Sequence, residues 1–293
     1  MGTTDSFSYR GGRKPAAFAD GHFYSPVVDV DEIGAQQAAI WPADPTILGI
    51  DFNPDSHRRI LREAFPRFIR EYDYPEVLED TPELDRFYTR NSQFSWLDAR
   101  ALFVLLRAWR PRRIIEIGSG YSSLLMTDVN RRFLDGATHI TCIEPYPRPF
   151  LRRSQAGIAH LIEQKVQDVP LGEFGRLGAG DVLFIDSSHV AKTGSDVNQI
   201  CFEIIPRLAP GVRIHIHDIF LPHEYPVDWV LNDNRSWNEQ YIVRALLMYT
   251  TAFKVLFGSA YAYHAFPDLV RDALALPGGA AFAGGSLWLE KCA

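Results

Sequence analysis

Two stretches of the sequence concentrate side chains that could carry out chemistry. In DVLFIDSSHV, Asp186 ends an apolar run and His189 follows it three residues later. In GVRIHIHDIFLP, a second apolar run closes on His217 and Asp218. Carboxylate oxygens suit Mg²⁺ or Mn²⁺, and an imidazole nitrogen shifts the preference toward Mn²⁺, Fe²⁺ or Zn²⁺. These residue types predict a divalent metal site formed by Asp186, His217 and Asp218, with His189 as the catalytic group that accepts a proton near neutral pH.

Plainer interpretations of the same histidines stay open at this point. His189 could cap a helix or orient a substrate without taking a proton, and His217 with Asp218 could hold a loop at a strand end. If His215 is counted as well, the stretch also offers the two-histidine, one-carboxylate set of a non-haem iron oxidative enzyme.

A third stretch, RRIIEIGSGYSS at residues 112–123, predicts a buried strand, a glycine turn and the start of a helix. Its isoleucines are typical of a central parallel strand. The turn at 118–120 lets a backbone approach a ligand closely, and the serines after it stand where a helix presents unpaired N–H groups. Glu116 lies two residues before the first glycine, and its charge favours a cationic or polyhydroxyl ligand over a phosphate.

These stretches belong to elements that alternate along the chain. A helix is expected to begin at Ser95, where Ser95-x-x-Asp98 is typical of a capping box. Strands and helices then alternate, which predicts a doubly wound α/β fold with a parallel sheet. The predicted strands cover about 113–118, 139–144, 160–166, 182–186, 211–217, 253–257 and 286–290, and the predicted helices about 121–134, 147–156, 194–208 and 236–250. Because neighbouring parallel strands end at one edge of a sheet, the acids and histidines of the first two stretches are expected to converge there.

The segment EIGSGYSS resembles motif I of the class I S-adenosylmethionine-dependent methyltransferases, which reads Glu/Asp-x-Gly-x-Gly. The turn lacks the third glycine of a dinucleotide fingerprint, which makes NAD the weakest candidate cofactor. The resemblance implies S-adenosylmethionine as cofactor and a Rossmann-like, seven-stranded, mostly parallel sheet with one antiparallel edge and helices on both faces. The motif match predicts cofactor contacts from Glu116, Gly118, Ser119, Gly120, Ser122 and Ser123.

Two acids after the next strands extend this predicted cofactor site. Glu144 ends the second strand, where a carboxylate can accept both hydrogen bonds from a ribose diol. That role fits NAD and S-adenosylmethionine alike. The resemblance further implies that an acid or amide after the third strand approaches the adenine amino group, which here points to Asp168 beside Gln167.

The segment Asp186-Ser187-Ser188-His189 resembles the Asp-x-x-His segment of macrolide-sugar O-methyltransferases and cephalosporin-hydroxylase-like proteins. The likeness covers about residues 90–290 and includes the phrases WNEQY and GGSLWL. The catechol O-methyltransferase type is similar in its acids after strands four and five. In the sugar enzymes the histidine is the general base and an acidic pair holds the metal, whereas this chain has His217-Asp218 in place of that pair.

The resemblance implies methyl transfer to a hydroxyl of a small molecule, such as a sugar, a polyol or a phenolic natural product. A metal-independent enzyme of the same fold is the first alternative, the iron-dependent oxidative enzyme the second, and a non-catalytic cofactor-binding scaffold the third. Within the implied fold, an aromatic segment at 220–229 is typical of a substrate lid, and SWNE at 236–239 predicts a helix start with a capping box. The residues expected to contact the acceptor are Trp237, Asn238 and Tyr241.

The chain is predicted to consist of an N-terminal extension at residues 1–90 and a methyltransferase domain at residues 91–293. Within the extension, residues 56–72 have apolar side chains at helical spacing, and Pro66 is expected to break that helix. The extension could cover the acceptor pocket or build a homo-oligomer.

Composition limits the partners. The 293 residues carry a formal net charge of −6, which weighs against nucleic acid as a partner. The sequence shows no apolar run of the roughly 18 residues that a membrane span needs, so no membrane partner is expected. Three cysteines without metal-binding spacing favour a reducing cytoplasm.

Overall fold

One sheet organises the fold. The computed structural model describes residues 16–81, 83–153, 157–274 and 284–293. Its strands are β1 (Arg113–Ile117), β2 (His139–Ile143), β3 (His160–Ile162), β4 (Val182–Ile185), β5 (Arg213–Ile216), β6 (Phe253–Gly258) and β7 (Leu287–Lys291). They form one seven-stranded sheet in the order β3-β2-β1-β4-β5-β7-β6.

The pairing of the strands confirms the predicted doubly wound, mostly parallel architecture. Strands β1 to β5 pair in parallel, and β7 runs antiparallel to both β5 and β6. The expectation of an antiparallel edge was wrong in one respect: β7 lies between β5 and β6, so β6 forms the edge. Strand β3 is also shorter than predicted: residues 163–165 lie outside the sheet, and Val166–Asp168 form a 3₁₀ turn.

Helices cover both faces of the sheet. They are α1 (Val30–Ala35), α2 (Gln37–Ile40), α3 (Pro54–Arg59), α4 (Phe65–Phe68), α5 (Trp96–Trp109), α6 (Tyr121–Phe133), α7 (Pro149–Arg153), α8 (Leu171–Phe174), α9 (Asp196–Gln199), α10 (Val227–Leu231), α11 (Glu239–Met248), α12 (Ser259–Ala265) and α13 (Pro267–Ala273). Single π turns at Ile60–Ala64 and Ile200–Ile204 continue α3 and α9, and 3₁₀ turns follow at Ile69–Glu71 and Ile205–Arg207. The end of the helix predicted at 147–156 lies outside the described residues. Among the described helices, none combines the length and apolar character that crossing a membrane requires.

Alternate side chains of the strands enter two separate hydrophobic cores. Ile114 of β1 packs into one core with residues of the Ile60–Ala64 turn and of α4 to α6, whereas Ile115 and Ile117 pack into the other with residues of the 196–207 helix and α11. Because both faces of the sheet are buried, the strand sequences are predominantly apolar. The carboxyl ends of the parallel strands therefore emerge together at one edge of a rigid sheet.

Part of the N-terminal extension belongs to the first of these cores. Leu61 and Phe65 are fully buried there, and Ser56 Oγ donates a hydrogen bond to the carbonyl of Leu256 in β6 at 2.8 Å. The preceding segment, which contains α1, instead packs against α10, beside the carboxyl edge of the sheet.

Candidate active site

A cavity of about 600 Å³ opens at the carboxyl ends of β1, β2, β4 and β5. Its wall is formed by residues 92–94, 118–122, 186–189 and 217–218, together with Glu144, Trp229, Arg235 and Trp237. The cavity thus contains both the glycine turn and the predicted reaction residues, as the convergence of parallel strand ends requires.

The glycine turn is held tightly against the end of β4. Gly118 adopts φ +80°, and a Cβ at this position would lie 1.8 Å from the carbonyl oxygen of Asp186. Gly120 differs, because a Cβ there would have only the Gln93 side chain near it, at 3.9 Å. The first glycine therefore allows the close approach of two strand ends, and the second keeps the space between the turn and Gln93 open.

Glu116 does not line the cavity, which corrects its expected place at the cofactor. It is fully buried, and it accepts hydrogen bonds of 2.5 Å from the hydroxyls of Ser122 and Ser123. Cys142 Sγ lies 3.3 Å from the same carboxylate. Burial raises the pKa of Glu116 to about 7, although these hydrogen bonds lower it in part. Glu116 ties β1 to the first turn of α6 and so positions the glycine turn from below.

Two further predicted cofactor residues lie off the cavity wall. Ser123 is fully buried beneath the turn, where its hydroxyl accepts a hydrogen bond from Gly120 N at 3.1 Å. Asp168 is exposed on the 3₁₀ turn after β3 and does not line the cavity.

Glu144 lies on the cavity wall, where the sequence predicts it. Its two carboxylate oxygens accept hydrogen bonds from Ser119 N at 3.3 Å and from Tyr146 N at 2.8 Å. Burial raises the pKa of Glu144, while the two backbone hydrogen bonds lower it. Each carboxylate oxygen has a second lone pair, so the fixed carboxylate can still accept hydrogen bonds from a diol in the cavity.

Asp186, His217 and Asp218 come together as predicted, with donor atoms within 4.8 Å of one another. His217 Nδ1 lies 3.5 Å from Asp186 Oδ1 and 3.4 Å from Asp218 Oδ1. These distances exceed the range of about 2.7–3.2 Å of ordinary N–H···O hydrogen bonds. Nitrogen and oxygen donors at this spacing could hold a divalent cation between them.

His189 faces the same acids from the opposite side. Its Nε2 lies 3.4 Å from Asp186 Oδ1 and 3.4 Å from Asp218 Oδ2, while its Nδ1 lies 2.9 Å from Glu239 Oε2. The residue has φ +60°, which is uncommon outside glycine, and the Trp237 ring packs on its imidazole at 4.4 Å. The surrounding contacts therefore fix the direction of the His189 ring.

The second imidazole also has a buried acid behind it. His217 Nε2 lies 3.5 Å from Asp98 Oδ2, and the Asp98 carboxylate accepts hydrogen bonds from Gly285 N at 2.8 Å and Ser286 N at 2.9 Å. Each imidazole thus presents one nitrogen to the shared acids and the other to a buried carboxylate of its own. Carboxylates in this backing position orient metal-binding histidines in many proteins.

Asp98 and Glu239 are the functional residues that the sequence did not identify. Both were interpreted as helix-capping acids, in Ser95-x-x-Asp98 and in SWNE at 236–239. Neither Ser95 nor Asn238, which stand at the starts of α5 and α11, makes a side-chain capping hydrogen bond. In the sequence, each residue is simply an acid in the first turn of a helix. Acids that cap a helix and acids that face a functional site both occur at this position, so the sequence does not distinguish the two roles.

The acids raise the affinity of both rings for protons. Burial lowers the pKa of His217, but the charges of Asp218 and Asp186 outweigh it and hold the pKa well above its usual value. Burial likewise lowers the pKa of His189, yet hydrogen bonds with Asp186 and Glu239 raise it to about 10. Four carboxylates surround two imidazoles, so the cluster keeps a formal negative charge even when both rings are protonated. That balance fits a divalent cation.

His215 lies outside this cluster. It is fully buried, its ring stacks on Phe184 at 3.8 Å, and its Nε2 lies 2.8 Å from Ser286 Oγ. Burial lowers the pKa of His215 well below its usual value. The structure therefore does not bring His215 to the cavity, and an iron site that counts it is not formed.

Of the three predicted acceptor residues, Trp237 lines the cavity and two do not. Asn238 Oδ1 accepts a hydrogen bond from Ala191 N at 2.6 Å, and Asn238 Nδ2 donates one to the Ala191 carbonyl at 3.2 Å. The Tyr241 hydroxyl donates to Glu224 at 2.8 Å on the outer side of α11. A helix that begins at Glu239 rather than near 236 turns these two side chains away from the cavity.

Comparisons with known proteins indicate a methyltransferase domain. A family model described as "Methyltransferase domain" matches residues 115–219. An uncharacterized protein of Archaeoglobus fulgidus is 41% identical over 167 residues, which cover 55% of this chain and 73% of that relative.

Solved methyltransferases are also similar to this chain. The O-methyltransferase TomG from Streptomyces achromogenes, in complex with SAM and involved in tomaymycin synthesis, is 15% identical, with a TM-score of 0.42 over 89% of this chain and 96% of its own. The SAH-bound Podospora anserina methyltransferase PaMTH1 is 18% identical, with a TM-score of 0.45 over 90% of this chain and 95% of its own.

The strand order and the glycine turn at the end of β1 define a cofactor-binding protein of the Rossmann-like class. Together with the match of residues 115–219 to the methyltransferase-domain family model, they lead to one conclusion: the chain contains a class I S-adenosylmethionine-dependent methyltransferase domain. The predicted family, fold class and enzyme class are thereby confirmed.

Proposed function

We propose that this enzyme methylates a hydroxyl of a small molecule, such as a sugar, a polyol or a phenolic natural product. One observation carries the proposal: His189 and the group of Asp186, His217 and Asp218 line the same cavity as the glycine turn. A cofactor on the turn and a hydroxyl beside His189 would meet within about 600 Å³, a volume typical of small-molecule sites.

The residues around the turn fit S-adenosylmethionine, which supplies an electrophilic methyl group on a sulfonium. The open side of Gly120 leaves room for a ligand against the backbone, and the fixed carboxylate of Glu144 is an acceptor for the ribose diol. Ser119 and Ser122 complete this wall. In the proposal these four residues hold the cofactor, and the Glu116 carboxylate holds the turn and helix start that carry Ser119, Gly120 and Ser122.

Asp186, His217 and Asp218 are the proposed ligands of a divalent cation, Mg²⁺ or Mn²⁺. Their donor spacing, their mixed nitrogen and oxygen chemistry and the negative balance of the cluster support this assignment. Such a cation supplies a Lewis acid that lowers the pKa of an acceptor hydroxyl. The backing carboxylate of Asp98 would keep the His217 ring in its orientation.

His189 is the proposed general base. While no cation binds to Asp186 and Asp218, the His189 pKa of about 10 keeps the ring protonated at neutral pH, so it cannot accept a proton. If the charges of these two aspartates are neutralised, the main reason for the high pKa disappears, and Nε2 can accept a proton from a hydroxyl. Glu239 would then keep the proton of Nδ1 in place and stabilise the imidazolium that forms.

Calorimetric titration with S-adenosylhomocysteine tests the proposal, with EDTA and then with added Mg²⁺ or Mn²⁺. We expect cofactor binding in both conditions and methyl transfer to hydroxylated acceptors only with the metal. Asp186→Asn should abolish metal-dependent turnover and keep the cofactor affinity. Asp268→Asn, an exposed acid on α13, is the matched control.

Different results would lead to different conclusions. Absence of S-adenosylhomocysteine binding would contradict the whole proposal. Full turnover in EDTA, with an active Asp186→Asn variant, would favour the metal-independent alternative. The 3.4 Å approach of His189 Nε2 to Asp186 and Asp218 supports that alternative, because a protonated ring at this position would offset part of their negative charge without a cation. Tightly bound iron with oxygen-dependent turnover would instead indicate an oxidative enzyme.

The remaining parts of the proposal concern location and partners. The proposed binding partner of the enzyme is a small hydroxylated acceptor of natural product biosynthesis. The proposal includes neither nucleic acid nor a membrane as a partner. The described cysteines, Cys142, Cys201 and Cys292, are all free, which supports a cytoplasmic location.

A further inference from the structure

Arg235 lies on the cavity wall between two aromatic faces. Its guanidinium carbon is 4.4 Å from the ring centre of Trp229 and 5.0 Å from that of Trp237. All three side chains line the cavity, and we call them the tryptophan–arginine wall. Among the described residues that form the cavity, Arg235 is the only arginine or lysine. A fixed positive charge therefore faces a space whose other formal charges belong to acids and histidines.

The tryptophan faces leave the edge of the guanidinium available for recognition. Stacking on indole rings restricts the guanidinium plane, so its N–H donors are ordered before a ligand arrives. Asp233 accepts from one terminal nitrogen at 2.8 Å and lies half in solvent. Because a guanidinium has five N–H donors, this one pair does not exhaust them.

The tryptophan–arginine wall continues directly to the proposed base. Trp237 contacts Arg235 on one side and the His189 ring, at 4.4 Å, on the other. A single aromatic side chain thus separates the arginine from the imidazole. An anionic group at Arg235 and a hydroxyl at His189 could therefore belong to one small acceptor.

The charges of the cavity select the kind of anion. Glu144, Asp186 and Asp218 all line it, so a dianionic phosphate would meet three acids and one arginine. A carboxylate carries one charge and matches the planar fork of a guanidinium with two parallel hydrogen bonds. We propose that Arg235 binds a carboxylate of the acceptor, so that the substrate is a hydroxylated carboxylic acid, either phenolic or a sugar acid. This inference rests on the proposed O-methyl transfer and names the substrate class of that same site.

Matched pairs of acceptors test the assignment: protocatechuate with its uncharged amide, and glucuronate with glucuronamide. The wild-type enzyme should prefer the acid of at least one pair by roughly tenfold to hundredfold in kcat/KM, because a hydrogen-bonded charge pair contributes that much. Arg235→Met should remove the preference by raising KM for the acid much more than KM for the amide, with S-adenosylhomocysteine affinity unchanged. Arg235→Lys, which keeps the charge without the planar fork, should show an intermediate preference.

Arg271→Met is the control, since Arg271 is an exposed arginine that also pairs with an aspartate. Equal kcat/KM for acid and amide in the wild type would overturn the inference and leave the proposed function standing. Loss of S-adenosylhomocysteine affinity in Arg235→Met would overturn it as well, because Arg235 would then bind the carboxylate of the cofactor. Binding of S-adenosylhomocysteine without turnover of any of the four probes would also overturn it. Only absence of cofactor binding in the wild type would remove the proposed function itself.

Discussion

Glu239 determines how the His189 ring can exchange a proton. Its carboxylate is 1% exposed, lies 2.9 Å from His189 Nδ1 and accepts from Ser187 Oγ at 3.0 Å. Because a carboxylate only accepts hydrogen bonds, Nδ1 carries the proton of this pair, and Nε2 is the nitrogen that faces the cavity. The backbone N–H groups of Asn238 and Glu239 also bond to the His189 carbonyl, so the start of α11 fixes both the ring and its backbone.

Replacing Glu239 by glutamine should separate orientation from charge. The glutamine carbonyl can still accept from Nδ1, but it no longer stabilises a positive ring. We expect kcat to fall roughly 10- to 100-fold, the usual effect of removing such a backing carboxylate, with S-adenosylhomocysteine affinity unchanged. Glu224→Gln, an acid bonded to Tyr241 outside the cavity, is the matched control. Unchanged kcat in Glu239→Gln would mean that His189 does not gain a proton in the rate-limiting step.

Glu144→Gln tests the second acid of the site. The amide retains one acceptor oxygen for the backbone but loses the charge and one acceptor for a diol. S-adenosylhomocysteine affinity should fall about tenfold, which corresponds to one charge-assisted hydrogen bond. Titration calorimetry measures this directly, with Glu163→Gln, an exposed acid next to β3, as control. Equal affinities of the wild type and the variant would remove Glu144 from the cofactor site.

The predictability of each site residue depended on the kind of element that carries it. Asp186, His217 and Asp218 follow parallel strands, and the sheet necessarily brings such strand ends together. Asp98 approaches His217 from a helix more than a hundred residues earlier, and only the packing of α5 on the sheet creates that contact. Glu116 precedes the glycine turn as the motif requires, yet both faces of β1 are buried, so the pattern did not reveal that its side chain points into the core.

At the scale of elements, two prolines explain the two π turns. Pro66 was expected to break its helix, but residues 54–71 remain helical, with the π turn Ile60–Ala64 just before the proline. The π turn Ile200–Ile204 stands in the same position before Pro206. A proline has no N–H for the carbonyl four residues earlier, and a local widening of the helix relieves the clash of its ring with that carbonyl. Pro66 thus changes the helical pitch without ending its helix, whereas the helix that contains Pro206 ends at Arg207.

One histidine couples the first of these helices to the sheet. His57 of α3 accepts a hydrogen bond from Gly258 N of β6 at 2.8 Å, and its Nδ1 lies 3.1 Å from the carbonyl of Asn53. Since Nε2 is the acceptor, Nδ1 carries the proton and the ring is neutral. Burial lowers the pKa of His57 to about 4, despite the two backbone hydrogen bonds.

This low pKa predicts a loss of stability in acid. Between pH 6.5 and 4 the unfolded chain takes up a proton at His57 that the folded protein does not, so the free energy of unfolding falls as the pH falls. The contribution should reach roughly 2 kcal/mol at pH 5 and be absent above pH 7. His57→Gln should lack it, so urea unfolding of both proteins at pH 7 and pH 5 isolates the effect from other titrating groups.

His139→Gln, at an exposed histidine, should behave like the wild type at both pH values. If the wild type and His57→Gln lose the same stability between pH 7 and pH 5, the ring is not held neutral in the folded protein.

At the scale of the whole molecule, residues 28–41 of the N-terminal extension contact the acceptor side of the cavity, whereas Asp80 and Tyr88 of the same extension bond to Tyr121 beside the glycine turn. Trp41 Nε1 donates a hydrogen bond of 2.7 Å to the carbonyl of Tyr225, and Val28 N donates to Ser236 Oγ at 3.2 Å. Both acceptors belong to the 220–238 segment that carries the tryptophan–arginine wall. The predicted capping serine of α11 is therefore used as a contact for the extension. This arrangement favours the role of covering and supporting the acceptor pocket, which the sequence left open beside oligomerisation.

Trp41→Phe tests this support with the smallest change. Phenylalanine keeps an aromatic side chain at the site but loses the indole N–H, so the Tyr225 carbonyl loses its partner and the 220–238 segment becomes less constrained. The expected cost is about 1 kcal/mol, which should appear as a severalfold increase in KM for the acceptor. S-adenosylhomocysteine affinity should stay constant, because the extension contacts the cofactor wall through Asp80 and Tyr88, which bond to Tyr121, and not through Trp41. Trp109→Phe, on the far end of α5, is the control for a general loss of stability. A parallel loss of cofactor affinity in Trp41→Phe would show that the extension supports the entire carboxyl edge of the sheet rather than the acceptor pocket alone.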